Sequence, residues 1–114
     1  MAGYRITVRS GAKVRSERAE ELGQALRLIE RHGRDLEDGA SAHVVGGALV
    51  RKFEPVQQVV GRIELSGPGR LRAGVDVRGD GSAEAFTGRV RRKLVTQRPG
   101  ESPYDALQRE LSNG

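Results

Sequence analysis

The sequence has no cysteine, which excludes disulfides, thiolate metal sites and a thiol nucleophile. Its two histidines, His32 and His43, are eleven residues apart and do not have the spacing of a zinc site. No nucleophile elbow, phosphate-binding lysine loop or dinucleotide fingerprint occurs. We therefore expect a protein that is not an enzyme and that uses no metal or cofactor.

Long apolar runs and aromatic residues are also scarce. No stretch approaches the roughly 20 apolar residues that a membrane span needs, and no apolar run follows the basic N-terminal residues. These absences predict a cytoplasmic protein without a membrane partner. Only two tyrosines and two phenylalanines are present, which leaves few side chains on which bases could stack.

Positive charge is what the sequence has in excess. Twenty lysines and arginines outnumber fifteen acids, for a net charge of +5 and a pI near 10.4. Residues 62–98 carry nine bases and four acids, whereas the rest of the chain carries eleven of each. A localised basic excess is typical of proteins that bind polyanions. Because seventeen of the twenty bases are arginine, a bias in the coding sequence is an alternative explanation.

The hydrophobic pattern predicts one α+β domain over residues 1–114. Alternation indicates a strand at 4–10, and a helical stripe begins after Ser16, a candidate N-cap, and ends at Gly33 or Gly39. Ser102 and Pro103 predict the start of a final helix. Four further strands are predicted over residues 42–53, 56–65, 70–78 and 82–95. We expect an antiparallel sheet of about five strands with one long and one short helix on one face, in the order β-α-β-β-β-β-α.

This order of elements resembles two families of RNA-binding proteins. Ribosome-associated hibernation factors have a strand, a helix, three strands and a helix, and double-stranded-RNA-binding domains end in three strands and a helix. The resemblance covers the order alone, carries over no residue, and implies RNA as the ligand.

The segment VDVRGDGSAEAF, residues 75–86, has three interpretations. Asp76, Asp80 and Gly81 match part of a calcium-binding loop, but Arg78 and Thr87 occupy positions that should hold ligands. The Arg-Gly-Asp triplet could be an adhesion signal, although nothing else in the sequence points outside the cell. Asp-Gly between alternating segments is a strong hairpin signal, so we interpret the segment as a tight turn between two strands.

A two-residue turn at Asp80 and Gly81 would fix the register of this hairpin. Val75 would then face Phe86 on the core side, with Leu71 and Ala73 beside it. The opposite side would place Arg72 against Arg89 and Arg70 against Arg91, with Lys93 further along. Since like charges across a strand pair are destabilising, such a patch is either solvated or compensated by an anion.

We therefore predict nucleic-acid binding, with RNA favoured slightly over DNA, through arginines that contact phosphates. The candidate binding residues are Arg70, Arg72, Arg89, Arg91, Arg92 and Lys93. Two alternatives stay open: a merely solvated face, or an assembly protein that docks on an acidic surface. In the second alternative the first helix, with seven acids and four bases over residues 16–38, could meet the basic hairpin of another copy.

Overall fold

A computed structural model of the chain describes residues 3–46, 59–88 and 91–113. Over these residues the predicted α+β class is confirmed, with six strands rather than about five in one antiparallel sheet. The elements are β1 (Tyr4–Ser10), β2 (Lys13–Ala19), α1 (Leu22–Gly46), β3 (Val59–Gly67), β4 (Leu71–Arg78), β5 (Ala83–Thr87), β6 (Lys93–Leu94) and α2 (Pro103–Asn113). The strands lie in the sheet in the order β2-β1-β3-β4-β5-β6.

Both helices pack on the same face of the sheet. Alternate residues of the central strands point toward them and are buried, whereas the intervening residues point to the other side. The sheet contributes Ile6, Val8, Ile63, Leu65, Val75 and Val77 to this core, and the helices contribute Ala25, Ile29, Ala106 and Leu107. The opposite face of the sheet has no helix on it among the described residues, and we call it the open face.

The N-terminal segment differs from the prediction because a strand replaces the expected start of the helix. Gly11 has a φ of +60°, which suits the tight turn that joins β1 to β2. Ser16, predicted as a helix cap, lies in β2 opposite Thr7, with 3.4 Å between their hydroxyl oxygens. Pairing with β1 therefore outweighs the local capping signal, and α1 begins only at Leu22.

The long helix also continues past both of its predicted ends. Gly33 lies inside α1, where the ring of Tyr104 from α2 packs against its backbone so closely that a side chain could not fit. Gly39 is inside the helix as well. Residues 42–46, predicted to begin a strand, are its last residues, and residues 47–53 of that prediction lie outside the described residues.

The predictions for the C-terminal third hold in part. A single strand was expected over residues 82–95, but β5 ends at Thr87, Gly88 has a φ of +95°, and the short β6 begins only at Lys93. The final helix is confirmed. Ser102 Oγ accepts a hydrogen bond from the Asp105 N–H at 3.0 Å, and Asp105 Oδ2 accepts one from the Ser102 N–H at 3.1 Å. This reciprocal pair caps α2 as expected.

The hairpin between β4 and β5 exists, but its register is shifted by one residue. Its loop contains three residues, because the Arg78 C=O accepts from the Gly81 N–H and the Arg78 N–H donates to the Ser82 C=O. Of the two central residues that the predicted turn required with positive φ, only Gly81, at +88°, has one. Asp80 Oδ1 favours this loop by accepting from the Ser82 N–H and hydroxyl at 2.9 and 2.6 Å.

The shift moves Phe86 to the other side of the sheet. Val75 faces Ala85, and Phe86 faces Gly74, so the predicted core position of Phe86 is wrong. A slip of one residue exchanges the two faces of a strand relative to its partner, which is the physical reason for the error. The predicted pairing of Arg72 with Arg89 is wrong for the same reason, since the Arg72 C=O accepts from the Gly88 N–H at 2.9 Å.

Candidate nucleic-acid interface

The open face is dominated by arginine. Among the described residues the strand registers place six arginines and three carboxylates on it, and Arg92, which stacks on Phe86, adds a seventh arginine for a balance of +4. The arginines are Arg5, Arg9, Arg18, Arg62, Arg72, Arg78 and Arg92, and the acids are Glu64, Asp76 and Glu84. A face with this balance attracts polyanions in solution.

The three carboxylates are each paired with a nearby arginine. Arg9 Nε donates to Glu64 at 2.9 Å, and Arg78 Nη2 donates to Glu84 at 2.7 Å. Arg62 uses two nitrogens toward Asp76, and these hydrogen bonds raise the pKa of Arg62. The negative charge of the face is therefore largely neutralised by arginines of the same face.

Phe86 lies within this charged layer. It sits opposite Gly74, where a Cβ would lie 2.7 Å from the ring Cζ, so the missing side chain of Gly74 leaves the space that the ring fills. The guanidinium of Arg92 lies 4.4 Å from the ring centroid, and that of Arg62 lies 5.9 Å from it. Phe86 is only 3% exposed, because Arg92 covers the side of the ring that faces solvent.

Three other arginines form a row across one end of the open face. Arg18 faces Arg5 across β2 and β1, Arg5 faces Ser66 of β3, and Ser66 faces Arg72 of β4. We call Arg5, Arg18 and Arg72 the arginine row. Among the described residues no carboxylate lies within 4 Å of any of the three. Like charges that face each other, as in Arg5 and Arg18, are destabilising unless an anion compensates them.

Two clefts adjoin the row. The first, of about 240 Å³, extends from Thr7 and Ser66 past Arg72 to Phe86 and Arg92. The second, of about 570 Å³, is lined by Arg70, Leu71, Arg72 and Gly88. Arg72 lines both clefts and is half-buried, with Nη1 donating to the Leu71 C=O at 2.8 Å.

The predicted binding residues do not form the patch that the sequence suggested. Arg72 and Arg92 both line the first cleft, and Arg70, exposed in a turn with a φ of +63°, lines the second. Arg91 is exposed and precedes β6. Lys93 faces Thr87, so it belongs to the opposite side of the sheet at its edge. Arg89 lies outside the described residues.

Arg5 and Arg18 are the residues that the sequence-based prediction missed. The alternation in β1 already places Arg5 on the side away from Ile6 and Val8. Arg18 lacked such a signal, because its segment was interpreted as the start of a helix. Residues 13–18 do alternate between two sides of β2, but this alternation indicates a strand only once the pairing with β1 is known.

No protein-family model, curated protein or solved structure matches the chain. Neither helix within the described parts of the chain is both long and apolar enough to span a membrane. Residues 3–46, 59–88 and 91–113 also contain no cluster of three or more side chains suited to hold a metal ion.

Proposed function

We propose that the protein binds nucleic acid, with RNA favoured over DNA, through phosphate contacts on the open face. The observation that carries this proposal is the arginine row, whose three guanidinium groups have no carboxylate partner within 4 Å among the described residues. Phosphates of a nucleic-acid backbone would supply the missing negative charge.

The contrast within the open face supports this assignment. Arg9, Arg62 and Arg78 are engaged by carboxylates, so they are held in place and partly neutralised. Arg5 and Arg18 are exposed and face each other across β1 and β2. Contacts of this kind position a backbone without reading its sequence, so we expect binding with little sequence preference.

The test is a fluorescence-anisotropy titration with single-stranded RNA and duplex DNA at several salt concentrations. The variant Arg5→Gln/Arg18→Gln/Arg72→Gln removes the arginine row and keeps most of each side-chain stem. The control Arg27→Gln/Arg31→Gln/Arg98→Gln removes three exposed arginines that lie elsewhere. Both variants lower the net charge equally, so a difference between them reports position and not total charge.

Three phosphate contacts predict a slope of log affinity against log salt of about −2.7 on B-DNA and about −2.1 on a single strand. The row variant should lose most of this slope and about tenfold or more in affinity, whereas the control should keep the slope. Equal binding by the wild type and both variants would show that the row is solvated surface.

Assembly into oligomers is the competing function. The charged side chains of β2, an edge strand, argue against assembly by pairing of this edge with a second copy. β2 forms an edge of the sheet, and Val14 on it is 53% exposed, which could support pairing with a second copy. Its remaining exposed side chains include Lys13, Arg15 and Arg18, and charges on an edge strand oppose such pairing. A salt-sensitive oligomer in sedimentation runs without nucleic acid would favour assembly instead.

A further inference from the structure

Phe86 has a position that phosphate binding alone does not explain. It is an aromatic ring on the open face, in the row of side chains next to the arginine row. The two rows are two residues apart along the strands, which corresponds to about 7 Å. One nucleotide could therefore place its phosphate on the arginine row and its base near the ring.

The cover on this ring is held weakly. Arg92 approaches Glu64 and Asp76 only at 3.9 and 4.0 Å, and both carboxylates have closer partners in Arg9 and Arg62. When Arg92 moves away, these two acids keep their main ion pairs. Arg92 itself would give up these two long ion pairs and its stacking on Phe86.

We propose that Phe86 is a stacking platform for a base and that Arg92 is its exchangeable cover, so that the ligand is a single-stranded nucleic acid. The base takes the place of the guanidinium on the ring, and the released Arg92 is then available to a phosphate. The inference rests on the proposed function. Single-strand binders combine a basic groove with aromatic rings in this way, whereas the bases of a duplex are already stacked.

The surroundings of the ring fit a base. Leu94 faces Phe86 across β5 and β6 and is 58% exposed, so it extends the apolar surface beside the ring. The first cleft brings Phe86, Arg92, Arg72 and Ser66 to one opening. Glu64 also lines this cleft, but Arg9 at 2.9 Å neutralises it, which reduces repulsion of a phosphate.

The experiment compares oligouridine with an abasic ribose-phosphate oligonucleotide that has the same number of phosphates. The wild-type protein should bind oligouridine about tenfold more tightly, toward the low end of what one stacked base contributes. Duplex RNA of the same charge should bind no better than the abasic strand. These three probes need no variant, so the test does not depend on a substitution that could unfold the protein.

Two variants and one control variant then test whether the base stacks on Phe86. Phe86→Leu keeps an apolar side chain and should bring the ratio of the two affinities close to one. Arg92→Ala should weaken binding of both strands but raise the ratio, because nothing then competes with the base for the ring. Arg78→Ala, which removes an arginine of the same face that is paired with Glu84, should leave the ratio unchanged.

Tight binding with a ratio near one in the wild type would overturn the stacking platform and leave the proposed function standing. Preference for the duplex would do the same. If no probe binds, the proposed function fails and the platform fails with it. A ratio that Phe86→Leu leaves unchanged in a folded protein would place stacking elsewhere and overturn this inference.

Discussion

Replacing Gly33 by alanine should destabilise the protein, although the same substitution at Gly39 should stabilise it. Both glycines lie inside α1, where alanine gains about 0.5–1 kcal/mol in helical preference over glycine. A Cβ at Gly39 would meet no atom within 4 Å, so the full gain should appear there. At Gly33 the new Cβ would lie 2.6 and 2.7 Å from Cε1 and Cζ of Tyr104.

Tyr104 cannot move aside without losing its packing in the core and its hydrogen bond to Glu37. Its side chain is part of the core, with the residue 5% exposed, and its hydroxyl donates a hydrogen bond to the Glu37 carboxylate. Burial and the Glu37 carboxylate both raise the pKa of Tyr104, so the hydroxyl keeps the proton that it donates. Overpacking costs about 1–3 kcal/mol, and loss of a hydrogen bond to a charged group costs about 1.5–3 kcal/mol.

These magnitudes exceed the helical gain, so Gly33→Ala should lose a net of about 1–3 kcal/mol. The two alanine variants should then differ by about 1.5–4 kcal/mol, which separates their urea midpoints by about 1–2 M at a denaturant slope of about 2 kcal/mol/M. Unfolding followed by far-UV circular dichroism measures both. A Gly33→Ala variant as stable as Gly39→Ala would refute the reasoning, and in a Tyr104→Leu background the destabilisation by Gly33→Ala should vanish.

Two further predictions concern the C-terminal loop and the open face. Hydrogen bonds from Arg109 lower the pKa of Glu101 from its ordinary 4.5 to about 2, so its stabilising contribution is full above pH 4.5 and is lost as the pH falls through about 2. Urea midpoints measured from pH 5 to pH 2 should therefore fall less steeply in Glu101→Gln than in the wild type; parallel curves would contradict this. Gly74→Ala should lower stability by about 1–3 kcal/mol, because its Cβ would meet the Ile63 carbonyl oxygen and lie 2.7 Å from Phe86 Cζ. An unchanged melting temperature in calorimetry would argue against that packing.

Elements with local signals were predictable from the sequence. Alternation alone identified β1 and β4, and it placed Arg5 and Arg9 away from the core. Ser102 and Pro103 marked the start of α2 because a helix cap involves residues only three positions apart. In each case the deciding interaction lies within one segment, so no knowledge of the rest of the fold was needed.

Elements that depend on a partner were not predictable in this way. Residues 13–19 can alternate as a strand or begin a helical stripe, and pairing with β1 decides between the two. The loop of the β4–β5 hairpin differs from the predicted one by a single residue, yet that residue exchanges the faces of Phe86 and its neighbours. Glycine-rich turns of two and three residues have similar sequences, so the pattern could not separate them.

Where the excess positive charge lies on the folded protein also depends on which strands pair with each other. The excess of +5 over residues 62–98 pointed to the C-terminal hairpin, but three acids of that segment occupy the open face and pair with arginines there. Arg5 and Arg18 come from the part of the chain whose charges cancel, and they supply two of the three members of the arginine row. An anion responds to the local field and not to the charge of a segment. The strongest site for a phosphate is therefore expected where arginines from separate strands meet without carboxylates, at the end of the open face that holds the arginine row.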